Sequence, residues 1–158
     1  MFERVVVPLD GSKVGEAALP VIGRLAEKLV PGAKVEVTII GVITLLRHWV
    51  VVGEASAPVS YTEEELNLIK NRVTDYLQKS AEALKSKNID VDVMVCSGSA
   101  AEEILKTANQ VKADLIAMST HGRSGLRRLA FGSITDKVLR GSRIPVLMVR
   151  APEGTTNE

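Results

Sequence analysis

The sequence has a single cysteine, Cys96, in 158 residues. No internal disulfide can form, and that usage fits a reducing cytosol. Net charge is nearly absent as well: twenty lysines and arginines stand against nineteen aspartates and glutamates, leaving +1 at pH 7. Such a balance gives no global pull toward nucleic acid or anionic membrane, so neither is expected as a partner. Long apolar runs are missing. The most membrane-like stretch, Val37 to Leu46, is ten residues long, with Glu36 before it and Arg47-His48 after it. A spanning helix needs about 20 apolar residues, so this run reads as buried strand. The start MFERVVVPLD lacks a basic segment followed by an apolar one, so no secretory signal is expected and the location is expected to be cytoplasmic.

Several motifs are absent too. There are two histidines, and neither has cysteine or carboxylate at ligand spacing, which argues against a structural metal site. No G-x-x-x-x-G-K-[ST] occurs, so there is no P-loop, and no G-x-G-x-x-G follows the first strand. No G-x-S-x-G nucleophile elbow is present; G-R-S-G at 122–125 is one residue too short. His121 lacks an orienting partner, which makes it a weak acid–base candidate. Cys96 lies in a strand and reads as a small buried hydrophobe.

What is present is an alternation. At 46% hydrophobic and 25% charged, a chain of this length buries roughly 70% of its unfolded surface and forms one domain. Val5 to Leu9 is a buried strand stopped by Asp10-Gly11, and Ser12 can cap the next helix, where Leu19, Ile22, Leu25 or Ala26, and Leu29 recur at helical spacing. Pro31-Gly32 ends that helix, and Val35 to Ile43 is a second strand. Residues 45–61, with Gly53 and Pro58, read as irregular, although Trp49 to Val52 is too apolar for a solvated linker. Thr62 to Glu65 is a capping box before a helix with Leu66, Ile69, Val73, Leu77 and Leu84 on one side. Asp90 to Cys96 alternates and has a more polar face, as an edge strand does. Ser99 to Glu102 is a second capping box, and Leu105, Ala108 and Val111 continue that helix. Asp114 to Met118 is a buried strand, Ile134 and Val138 mark a short helix from about Ser133, and Ile144 to Val149 is the last strand. Strands alternating with helices imply an α/β domain, a parallel sheet covered on both faces. The domain is expected over 1–150, with a flexible tail at 151–158.

Ligands of such sheets bind beyond the C-terminal strand ends, where the strand order reverses. If the fourth strand crosses to the other side of the first, that place lies between Pro8-Leu9-Asp10-Gly11-Ser12 and Met118-Ser119-Thr120-His121-Gly122. Gly122 and Gly132 let backbone amides approach an anion, and Ser133 opens a helix whose N-terminus favours negative charge. Asp10 accepts only, which suits sugar hydroxyls and not phosphate. Together these point to a nucleotide. Glycines, serines and the arginines 123, 127 and 128 are also what a plain surface loop carries.

The spacing Gly122-x9-Gly132-Ser133 resembles the signature G-x2-G-x9-G-[ST] of the universal stress protein family, with Ser119 where the first glycine stands. VVVPLDGS, the stretch from Gly98 to Leu105 and the ending from Ser142 to Val149 are similar to that family too, so the resemblance covers residues 2 to 150. It implies an open five-stranded parallel sheet in the order 3-2-1-4-5, a Rossmann-like fold of the adenine nucleotide alpha-hydrolase type. It further implies ATP, or ADP or AMP, with Mg²⁺ brought by the phosphates. Pro8 would border the base, and the backbone of Val42 would meet adenine. Asp10 would contact ribose or adenine, and Met118 and Ser119 would line the ribose side. Gly122, Gly132, Ser133 and Ile134 would hold the phosphates. A homodimer through Ile144 to Val149 is implied, and would cover an apolar edge. The function implied is a nucleotide-dependent sensor or regulator in stress response. The alternatives are a slow ATP hydrolase and a dimeric interaction module without nucleotide.

Overall fold

A computed structural model describes residues 2–29, 34–44, 48–52, 55–59, 61–85, 88–120, 132–152 and 154–155, with the backbone alone at 29, 48–52 and 55–59. In chain order the elements are β1 (Arg4–Leu9), a 3-10 turn (Gly15–Ala17), α1 (Ala18–Leu29), β2 (Val35–Ile43), β3 (His48–Val52), β4 (Ala55–Val59), α2 (Glu63–Glu82), β5 (Ile89–Ser97), α3 (Ala100–Gln110), β6 (Leu115–Thr120), α4 (Ser133–Gly141) and β7 (Val146–Arg150). Five strands form one parallel sheet in the order β5-β2-β1-β6-β7. With the separate β3–β4 pair left out of the count, this is the expected 3-2-1-4-5.

Strand periodicity splits the core in two. From β1, Val5, Val7 and Leu9 join Val35, Val37 and Ile39 of β2 under α1 and α2, where Leu19, Ile22, Leu77 and Ala81 are buried. The alternate residues, Val6, Ile40, Ile116 and Met118, pack with Ile104 and Ala108 of α3 and Val138 of α4. Helices therefore cover both faces, and β1, at the centre, is buried on both. β5 is an edge strand, as its half-polar pattern predicts, and so is β7.

Helix α2 starts where the capping box places it. The Glu65 amide donates to Thr62 Oγ1 (3.2 Å), and the Thr62 amide donates to Glu65 Oε2 (2.8 Å). The second expected box does not form: Ser99 stands at the N-cap of α3, but its hydroxyl bonds no amide of the first turn. Glu103, one residue past the box position, packs beneath Gly98 instead. Residues 45–61, expected to be irregular, contain the antiparallel pair β3–β4, registered His48 with Val59 through Val52 with Ala55. Only two residues separate the strands, Gly53-Glu54, which is a hairpin spacing; Gly53 and Pro58 had masked the β-branched run before them. The helix stop at Pro31-Gly32 lies outside the described residues. Past the expected boundary at 150, Ala151 is buried and its amide donates to the Thr120 carbonyl (3.0 Å).

Candidate functional site

The strand order reverses between β1 and β6, and there the sheet opens. β1 pairs with β2 at six positions, from Arg4 to Leu9. It pairs with β6 only at Val5–Leu115 and Val6–Ile116. Pro8 supplies the reason. The Glu3 carbonyl accepts from Glu36 on the β2 side, and the Arg4 carbonyl accepts from Asp114 on the β6 side. Even-numbered residues of β1 therefore turn their backbone groups toward β6. Pro8, with no N–H, cannot donate there. A proline in a central strand is tolerated because its bare nitrogen faces a gap.

The β1 wall of this crevice is the turn after Leu9. Gly11 has φ +85°, a left-handed conformation that glycine adopts freely. The turn brings Ser12 back onto Asp10: the Ser12 amide (3.0 Å) and hydroxyl (2.5 Å) both donate to Asp10 Oδ1. Ser12 does not cap α1 directly, as expected, but holds the 3-10 turn before it, accepting from the Gly15 amide (2.9 Å). The carboxylate packs so closely on Gly15 that a Cβ there would lie 2.5 Å from Asp10 Oδ1. Asp10 is exposed, and its Oδ2 has no partner among the described residues.

The opposite wall is the end of β6. Ser119 is extended; among described non-glycine residues only Lys112 has positive φ. Serine at the first signature position thus carries no backbone strain. Its hydroxyl points to the α1 face, donating to the Gly15 carbonyl (2.8 Å) and accepting from the Ala18 amide (2.9 Å). Met118 is buried in the core beneath α3 and α4, and half-buried Val42 packs against that same core. Pro8 is half-buried at the crevice floor.

Helix α4 packs beside α3 on one face of the sheet. Val138 packs with Ile116, and Ile116 pairs with Val146 at the start of β7. The C-terminal end of α4 therefore lies low on the sheet, and Gly132 lies near the C-terminal edge. Gly132 is the N-cap, without a side-chain cap, and the first intrahelical bond runs from the Asp136 amide to its carbonyl (3.0 Å). The amides of Ser133, Ile134 and Thr135 have no intrahelical partner. Ile134, whose spacing from Val138 marked the helix, is 44% exposed; Thr135 is a buried residue of that turn. Gly122, His121 and the arginines 123, 127 and 128 lie outside the described residues. The structure thus brings Pro8, Asp10 and Ser119 to one crevice and puts Gly132, Ser133 and Ile134 on the same edge of the sheet.

One group near the β1 wall has no signal in the sequence. The Tyr76 hydroxyl on α2 is buried with no well-aligned hydrogen bond among the described residues, although Ser80 and Glu16 lie near enough to influence it; Ser80 donates to the Tyr76 carbonyl (3.0 Å). Burial, and after it the charge of Glu16 and more weakly of Asp10, pushes the phenol up to about 12. A raised phenol pKa favours the protonated folded form. Its stabilisation is complete below about pH 10 and is lost as pH rises toward 12. Tyr76→Phe is expected to leave stability at pH 8 unchanged or slightly higher and to flatten the loss between pH 10 and 12. Thermal melts of both proteins across that range measure it, and parallel pH profiles would contradict it.

The model of the universal stress protein family matches residues 1–150. The chain belongs to the universal stress protein family. Among curated universal stress proteins, YxiE of Bacillus subtilis is 28% identical over 150 residues, covering 95% of this chain and all of that protein. MJ0577 of Methanocaldococcus jannaschii is 30% identical over 162 aligned positions, covering 95% and 96%. The solved structure of MJ0577 superposes with a TM-score of 0.68 at 25% identity, covering 98% of this chain and 99% of that one. A universal stress protein in complex with cAMP superposes at 0.65 and 20% identity (94% and 97% covered). A family member from Arabidopsis thaliana with AMP bound superposes at 0.56 and 13% (96% and 93%). The last two likenesses concern the fold. In this universal stress protein, three residues escaped sequence reasoning: Gly15, Tyr76 and the hydroxyl role of Ser119. Each depends on a neighbour far along the chain or on a turn geometry that no local pattern encodes.

Proposed function

We propose that this chain is a cytoplasmic adenine-nucleotide-binding protein, with ATP as its ligand and a nucleotide-dependent regulatory role in stress response. Gly132 carries the reading. Its φ of −51° suits any residue, and a Cβ built on it meets nothing within 4 Å among the described residues. Neither the backbone nor the packing of the described residues asks for glycine there. Space that no described residue fills, beside three helix amides without an intrahelical partner, suits an incoming anion, which a helix N-terminus favours by about 0.3–1 kcal/mol in exposed settings. Asp10 offers, across the crevice, a carboxylate oxygen with no partner among the described residues, suited to a ribose hydroxyl or the adenine edge. Pro8 and Val42 would border the base, with the backbones of Met118 and Ser119 on the ribose side. Gly122, Gly132, Ser133 and Ile134 would take the phosphates. Solved family members with cAMP and AMP bound support the adenine class. Among the described residues no three His, Cys, Asp or Glu side chains cluster to hold a metal ion. Mg²⁺ would therefore keep phosphate oxygens and water as its main ligands. The free edge of β7, where Val146, Leu147 and Met148 are only half-buried, fits pairing with a second copy. Isothermal titration of nucleotide-stripped protein with Mg-ATP tests the reading, and sedimentation of the same sample reads the dimer. Heat of binding at micromolar nucleotide is expected; none at high micromolar nucleotide overturns it.

A further inference from the structure

Above Val6 the backbone ladder no longer joins β1 to β6, yet one β6 side chain reaches the 3-10 turn and helix that follow β1. Ser119 Oγ donates to the Gly15 carbonyl (2.8 Å) and accepts from the Ala18 amide (2.9 Å). From Gly15 the bonds continue: its amide donates to Ser12 Oγ (2.9 Å), and Ser12 Oγ donates to Asp10 Oδ1 (2.5 Å). We propose that Ser119 is a positioning residue for the Asp10 carboxylate, acting across the crevice through Gly15 and Ser12.

Each hydroxyl in this chain spends its one proton and one lone pair in a consistent direction, an arrangement in which neighbouring bonds polarise one another. Gly15 is fixed twice, since a side chain there would collide with Asp10. One carboxylate oxygen is thereby anchored and the other left for a ligand, so less ordering is required when the ligand arrives. A glycine at position 119, as in the family signature, would remove both bonds of this tie. It would also leave the Ala18 amide, at the start of α1, with only its backbone contact to the Glu16 carbonyl.

The inference rests on the reading that Asp10 meets the nucleotide, so the test has two readouts. The first is Mg-ATP affinity by calorimetry for the full chain, Ser119→Ala, Ser119→Thr, Asp10→Ala and the double variant Asp10→Ala with Ser119→Ala. Ser119→Ala is expected to weaken binding roughly three- to tenfold, the scale of one net hydrogen bond. Ser119→Thr should retain affinity by keeping the hydroxyl. In the Asp10→Ala background the change at 119 should have no further effect. Equal affinity of Ser119→Ala and the unaltered chain overturns the proposal, as does an equal loss in both backgrounds. The second readout is amide hydrogen exchange without nucleotide. Faster exchange at Ser12, Gly15 and Ala18 in Ser119→Ala supports the tie, and unchanged rates overturn it. If the unaltered chain takes up no Mg-ATP, the nucleotide reading falls, and the exchange rates alone decide the positioning role.

Discussion

Gly132→Val is expected to weaken Mg-ATP binding at least roughly tenfold, the scale of one lost charge-assisted hydrogen bond. Folding stability should change by no more than about 1 kcal/mol, the range of an N-cap exchange. The separation of the two effects is the point of the experiment. Other glycines in this chain are explained by the protein itself. A Cβ on Gly41 would lie 2.8 Å from Val73 Cγ1, and one on Gly141 would lie 2.6 Å from Leu105 Cδ1. At Gly132 the φ is negative and no described residue fills the space a Cβ would take. Valine fits the empty site and fills the volume a phosphate would occupy beside the amides of Ser133 and Ile134. Calorimetry paired with urea denaturation reads both quantities. Unchanged affinity, or a collapse of stability, would show that Gly132 has no ligand to accommodate.

Ile116→Ala should produce the largest loss of stability, about 2–5 kcal/mol from lost transfer energy and the cavity left behind. Ile116 is fully buried and shares its core with Val6, Ile40, Ile104 and Val138. It also forms the last backbone pair between β1 and β6. Against a total stability of about 5–15 kcal/mol, such a loss would bring the chain near unfolding at moderate temperature. The midpoint of urea denaturation measures it. A loss under about 1 kcal/mol would mean that the layer beneath α3 and α4 relaxes to fill the space.

How much could be read from residue order alone follows the range of the forces involved. β2 runs from Val35 to Ile43, as its apolar run predicts, because a strand buried on both faces needs no partner to be recognised. The Thr62–Glu65 box closes as expected because its bonds join residues three apart. The equivalent spacing at Ser99–Glu102 does not close, and the neighbouring Glu103 side chain lies against Gly98. Ile134 and Val138 marked α4 by their spacing, but of the two only Val138 is buried, and Thr135 turns inward beside it. The crevice itself was legible as two glycine-bearing strand exits, and the sheet order places those exits side by side. Ser119 was legible only as a missing glycine. Its bonds reach residues 104 and 101 positions away, to Gly15 and Ala18, and no window along the chain contains both ends.

Pro8 has a kinetic consequence. A crevice held shut by backbone bonds would have to be pried open before a ligand could enter, and association would wait on that opening. Here the donor that would close it is missing from the covalent chain, so no thermal fluctuation can restore it. If the proposed nucleotide binds there, its arrival would need no break in the β1–β6 ladder, and differences in affinity among nucleotides would show chiefly in how long each one stays.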